Sequence, residues 1–151
     1  MPKTVLLARP HPFIVAEMKP FLEENGYTTD KLENLGNLPA LARDAAGAII
    51  SLAVSSSVGE SAEDVFLQLR KDAPRVPVLF ASMLSLDNAR QGLERIAKKA
   101  GLQANILGVN ATPAAAAQLG RQETFLYFSK DDLASPERRV MALRLIQRHF
   151  R

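Results

Sequence analysis

Four short and nearly continuous apolar runs constrain this chain more than any other feature: residues 5–8, 48–54, 76–81 and 124–128. A strand with one face in water alternates apolar and polar residues. A run with almost no polar break fits a strand covered on both faces, as parallel sheets require. Residues 104–109 repeat the pattern, and 28–33 form a weaker strand candidate.

Helical patterns fill the gaps between these runs. After Pro12, the residues Phe13, Ile14, Met18, Phe21 and Leu22 make an apolar stripe that ends at Gly26. Pro20 interrupts it, and an internal proline costs a helix about 3 kcal/mol, so a kink or restart is expected there. A short helix over 38–45 follows Asn37. Ser61 with Asp64 opens another, continuing through Val65, Leu69 and Lys71. Ser85 is the expected cap of the next, whose inner face is Ala89, Leu93, Ile96, Ala97 and Ala100, with Gly101 closing it. Thr112-Pro113 begins an alanine-rich helix ending at Gly120. Ser135-Pro136-Glu137 begins the last, with Val140, Leu143, Ile146 and Phe150 expected along its inner side. Strands alternating with helices predict an α/β, doubly wound parallel sheet in a three-layer sandwich. Right-handed crossovers then place functional loops at the C-terminal ends of the strands.

The 151 residues suit one domain over 1–151, and Met1 with a charged C-terminus suits a complete small chain. With no cysteine there is neither a disulfide framework nor a thiolate metal site. Two histidines, His11 and His149, are too few and too separated for zinc. No apolar run approaches the roughly 18 residues that span a bilayer, and the N-terminus lacks the pattern of a signal peptide. A cytoplasmic location follows by elimination. The net charge of +3 gathers near the end, in Arg138, Arg139, Arg144, Arg148 and Arg151. These read as a solvated helix face near its C-terminal dipole. No aromatic stacking platform accompanies them, so nucleic acid is not the expected partner. No glycine-rich phosphate loop is present, and no cofactor is expected.

The strand ends carry Arg9, Pro10 and His11 after the first strand, and Ser51 with the serine loop 55–57 after the third. Ser82 follows the fourth, and Lys130 closes Tyr127-Phe128-Ser129-Lys130 after the last. In this order the chain resembles the receiver domain of two-component response regulators, over residues 3–82 and 123–150. That resemblance implies a flavodoxin-like fold and a bacterial signalling setting. It puts Ser51 at the phospho-accepting aspartate, with Gly59 eight residues later as in many members. It puts Ser82 at the hydroxyl that contacts the phosphoryl group, Lys130 at the neutralising lysine and Tyr127 at the aromatic switch.

The departures are chemical. Receivers hold Mg²⁺ with paired carboxylates after the first strand, because a hard cation needs oxygen ligands. Here Arg9 and Pro10 stand there, with His11 next. Proline offers no ligand, arginine is a permanent cation, and Ser51 lacks a carboxylate. Asp131 follows the lysine where proline is usual. Phosphoryl transfer depends on metal and positioned charge, so the expectation is a pseudo-receiver, not an enzyme, that works by binding protein. The expected surface is the C-terminal helix, with Arg138, Arg139, Arg144 and Arg148, together with an inserted βα segment near 102–122. Through it the chain binds a partner or itself.

Ser82 and Lys130 are 48 residues apart, well beyond the family's spacing. Either 104–109 is an extra strand and 124–128 lies beside the fourth, or 104–109 is the fifth strand and Asn110 replaces the lysine. The sheet therefore has five or six strands. A rival class is a small-ligand or hydrolytic domain using Arg9, His11, Ser51 and Ser82. Ser51 or a serine of 55–57 would be its nucleophile and His11 its base. No strand-end carboxylate completes such a triad, and the Gly-x-Ser-x-Gly elbow is missing.

Overall fold

The computed structural model describes residues 3–9, 14–32, 34–52, 61–121 and 123–150. The apolar runs become the centre of one six-stranded sheet. Its strands are β1 (Lys3–Arg9), β2 (Tyr27–Lys31), β3 (Gly47–Ser51), β4 (Val78–Ser82), β5 (Asn105–Leu107) and β6 (Thr124–Ser129). All pairs are parallel, in the order β2-β1-β3-β4-β6-β5. Every residue of β3, β4 and β6 is buried, which explains why these runs lack polar alternation.

The two-residue period of a strand sorts the side chains into two cores. Leu6, Ile50, Phe80 and Tyr127 face α2 (Leu38–Ala42), α3 (Ala62–Asp72) and α4 (Leu86–Lys99). Leu7, Ile49, Leu79 and Phe128 face α1 (Lys19–Glu24), α5 (Pro113–Ala116) and α6 (Pro136–His149). On the first side Phe66, Phe80 and Phe125 form a ring cluster, with centroids 4.9 to 5.7 Å apart. Such pairs add about 0.5–1.5 kcal/mol each beyond area burial.

Several local expectations hold in form. The first helix restarts: a π-helical turn at Ile14–Met18 leads into α1, with Pro20 in the first turn, where its missing N–H costs nothing. Ser61 caps α3 by accepting from the Asp64 N–H. Ser85 makes no side-chain cap to α4, against expectation. The alanine-rich helix is only the short α5, followed by turns to Gly120.

The inner side of α6 differs in part, since Ile146 and Phe150 are buried as expected. It is Ala142, Leu145, Ile146 and His149, while Val140 is 52% exposed and Leu143 half-buried. Residues spaced 0, 3, 4 and 7 lie on one helical stripe, whereas 140, 143, 146 and 150 drift around the axis.

The strand order decides between the two sequence registers. β6 pairs with β4, Ser82 opposite Ser129, and β5 is an extra strand at the outer edge. The segment near 102–122 is thus an excursion that leaves β4, adds an edge strand and returns.

His149 ties this excursion down. Its Nδ1 accepts from the Gly120 N–H at 3.0 Å, so the proton lies on Nε2, which donates to the Val78 carbonyl at 2.9 Å. The imidazole is wholly buried and neutral, joining α6, β4 and the end of the excursion. Beside it, the Phe150 ring fills the space over Gly47, where any Cβ would collide with it.

Burial, reinforced by the nearby Arg70 cation and opposed by the Val78 hydrogen bond, holds His149 down at about 4, against an ordinary 6.5. As pH falls below 6.5, the unfolded chain takes up this proton first. Stability is therefore whole above about 6.5 and falls by about 3 kcal/mol as pH approaches 4. Urea unfolding across that range is expected to show this slope, and His149→Gln, which does not titrate, to flatten it. Gly47→Ala is expected to cost about 1–3 kcal/mol in the same assay, with much of the loss relieved by Phe150→Leu.

Candidate functional site

Strands buried along their whole length bring polar groups to their ends, and β1, β3, β4 and β6 close on Arg9, Ser51, Ser82 and Ser129. In register, Arg9 lies opposite Ile50, Ser51 opposite Ala81, and Ser82 opposite Ser129. The structure therefore brings Arg9, Ser51, Ser82, Tyr127 and Lys130 to one C-terminal rim. Pro10, His11, the serine loop 55–57 and Gly59 lie outside the described residues.

Arg9 is a cation almost without solvent, only 3% exposed. Its guanidinium donates to the Ser51 carbonyl at 2.7 Å, which ties the end of β1 to the end of β3. Burial alone lowers its pKa from the ordinary arginine value. A buried charge persists only where hydrogen bonds replace its water, and this carbonyl is one such partner.

Ser82 and Tyr127 form a closed network. The Tyr127 hydroxyl donates to the Leu84 carbonyl at 2.6 Å, which uses its only proton. The Ser82 hydroxyl, 2.6 Å from the same oxygen, must then be the donor to Tyr127. Ser82 Oγ in turn accepts from the Leu84 N–H at 3.1 Å. Burial raises the Tyr127 phenol above its usual pKa; the Ser82 bond opposes this and the Asp132 charge reinforces it. Both hydroxyls are spent on holding the β4–α4 loop against β6.

Lys130 follows the end of β6 and is exposed. Next to it Asp132 turns inward, its Oδ2 accepting from the Ser129 N–H at 2.8 Å and from the Ser129 hydroxyl at 3.2 Å. That carboxylate role was invisible in sequence, where Asp131 drew attention as the residue after the lysine. Asp131 instead offers its backbone carbonyl to Arg138, at 3.0 Å.

The arginines of α6 divide. Arg144 and Arg138 are exposed, although Arg138 is held by Asp131. Arg139 is half-buried with its guanidinium 5.3 Å from the Phe21 ring centroid, so it serves the packing of α6 on α1. Arg148 is exposed and has a partner within the chain. Between α4, the loop after β5 and the start of α6 runs a groove of about 540 Å³, lined by Asp87, Arg90, Asn110, Thr112, Asp132 and Arg138 among others. The excursion builds one wall of it, a consequence of the strand order that no local pattern revealed.

This architecture is similar to solved receiver domains. The chain aligns with the receiver domain of sensor histidine kinase PA1611 from Pseudomonas aeruginosa PAO1 over 99% of its length and 98% of that chain, at TM-score 0.60 and 15% identity. It aligns with chemotaxis protein CheY4 from Vibrio cholerae over 98% of both chains, at TM-score 0.56 and 12% identity. A response regulator receiver domain protein from Clostridium thermocellum matches over 98% of this chain and 96% of that one, at TM-score 0.52 and 14% identity. At such identities the likeness is one of fold. No family model and no curated protein sequence matches the chain.

The PA1611 domain holds a magnesium ion coordinated in its active-site cleft. At the described ends of β1, β3 and β4 in this chain stands no carboxylate. Arg9 has donors only and carries a positive charge, and the ends of β3 and β4 supply serines. Among the described residues no cluster of three or more His, Cys, Asp or Glu side chains is placed to hold a metal.

Tyr127→Phe leaves the Leu84 carbonyl without its donor and the Ser82 hydroxyl without its acceptor. It is expected to lower unfolding stability by about 1–2 kcal/mol. Combined with Ser82→Ala, the losses measured by urea unfolding are expected to be less than additive, because both variants break one network.

Proposed function

We propose that residues 1–151 form one pseudo-receiver: a non-catalytic signalling or scaffold domain that acts by protein–protein contact and is not competent for Mg²⁺-dependent aspartyl phosphorylation. The single observation that carries this reading is the Arg9 guanidinium, buried at the rim and bonded to the Ser51 carbonyl. A fixed cation stands where the reaction needs a divalent ion between carboxylates, and repulsion between the two keeps the ion out. Ser51 supplies a hydroxyl in place of the accepting carboxylate. Ser82 and Tyr127, the pair matching the phosphoryl contact and the switch, are already bonded to each other.

Signalling without phosphate rests on surface. The docking face in this reading joins α6, where Val140 and Met141 are 52% and 41% exposed beside Arg144, to the excursion around β5. An added edge strand enlarges that face and sets which partners fit, by offering some of them more area and obstructing others. The setting is bacterial and cytoplasmic, as for two-component signalling; no described helix is long and apolar enough to cross a membrane.

The groove of about 540 Å³ beside the excursion favours a second reading, a small ligand that biases the domain toward one partner-binding state. A ligand that raises the melting temperature in a metabolite panel would support it.

The test of the main reading is intact-mass measurement after incubation with acetyl phosphate and Mg²⁺. The expected mass is unchanged; an adduct of about 80 Da, one phosphoryl group, would overturn the assignment.

A further inference from the structure

At the opposite rim, where the strands begin, three connections converge on a groove of about 540 Å³. Arg43 leaves α2, Arg75 sits in the turn between α3 and β4, and Arg121 follows Gly120 on the way back to β6. All three line the groove and all are exposed. No aspartate or glutamate lines it. The described ion pairs, Lys19–Glu23 and Lys99–Glu63, involve none of the three. None of the three is therefore held in a described ion pair within 4 Å.

Three like charges around one concavity repel each other, a cost that an exposed cluster relieves by binding an anion. Low-dielectric walls focus the potential inside such a cleft. A single carboxylate would neutralise one of the three, whereas linked phosphates answer all of them. Guanidinium forks also match phosphate oxygens two at a time, which ammonium groups do not. The walls are held in place: Pro77 is rigid in backbone, and buried His149 accepts from the Gly120 N–H next to Arg121. His149 is a positioning residue here, since both its nitrogens are committed inside the protein. The groove has the volume of a small-ligand site, roughly 300–1,000 Å³. None of the three arginines stands beside an aromatic stacking surface in its lining, as a single-stranded nucleic-acid channel would require.

We propose that this groove binds a small compound carrying two or more linked phosphates, through Arg43, Arg75 and Arg121. The site lies at the far end of the sheet from Arg9 and Ser51, so it stands or falls apart from the pseudo-receiver reading.

Isothermal titration of the whole chain with inorganic triphosphate, at about 0.15 M salt to screen non-specific attraction, tests it. Saturable binding is expected. Arg75→Gln and Arg121→Gln are each expected to weaken it roughly tenfold, with melting temperature unchanged, and the triple variant with Arg43→Gln to abolish it. Arg95→Gln, exposed on α4 and lining neither groove, is expected to leave it unchanged. A parallel arm with a nucleoside triphosphate separates the sources: equal affinity assigns the site to phosphate alone, and tighter binding assigns it to a nucleotide. No binding at this salt would overturn the proposal. So would a loss with Arg95→Gln equal to that of the groove variants, or duplex DNA binding tighter than either triphosphate.

Discussion

Two-sided burial of β3, β4 and β6 is the constraint on which the rest of the molecule depends. A strand covered by helices on both faces can carry a polar side chain along its length only where a partner satisfies it, as Ser82 and the Leu84 carbonyl do for Tyr127. Polar chemistry is pushed to the positions where strands stop, and these three strands each end on a serine. The same constraint makes the ends valuable. Each is a short distance from the next in register, so four strands deliver a hydroxyl or a charge to one rim.

What occupies that rim decides the chemistry. In a receiver the rim is a negatively charged cradle for a divalent cation. Here β1 ends on a positive charge that is itself part of the protein and is bonded to the backbone of β3. That charge is met by a backbone acceptor of the protein itself. The closed Ser82–Tyr127–Leu84 network has the same character, because groups that could respond to a ligand are satisfied by each other. Both features settle the geometry of this rim, and they support the proposed reading of a domain that acts through its surface.

The excursion through β5 and α5 shows how a doubly wound sheet accepts an extra unit. The chain passes over the position of β6, lays an edge strand, and returns to insert β6 against β4. Pairing Val78–Ser82 with Phe125–Ser129 buries more apolar surface than the three-residue β5 offers, which favours this order. His149 then clasps the returning segment, and its burial as a neutral base makes the clasp sensitive to acid.

Much of the architecture was legible from the residues alone. Apolar runs without alternation, separated by helical patterns, pointed to a parallel sheet with helices on both sides, because such a sheet hides its strands on both faces. Helix starts at Ser61 and Ser135 and the restart near Pro20 were equally readable, since capping and the missing proline N–H act within one turn. The order of the last two strands, the inner face of α6, the roles of Asp132 and His149, and both grooves were decided only in three dimensions. Each depends on which distant segment docks where, and on interactions between residues as far apart as Val78 and His149, for which local spacing holds no record.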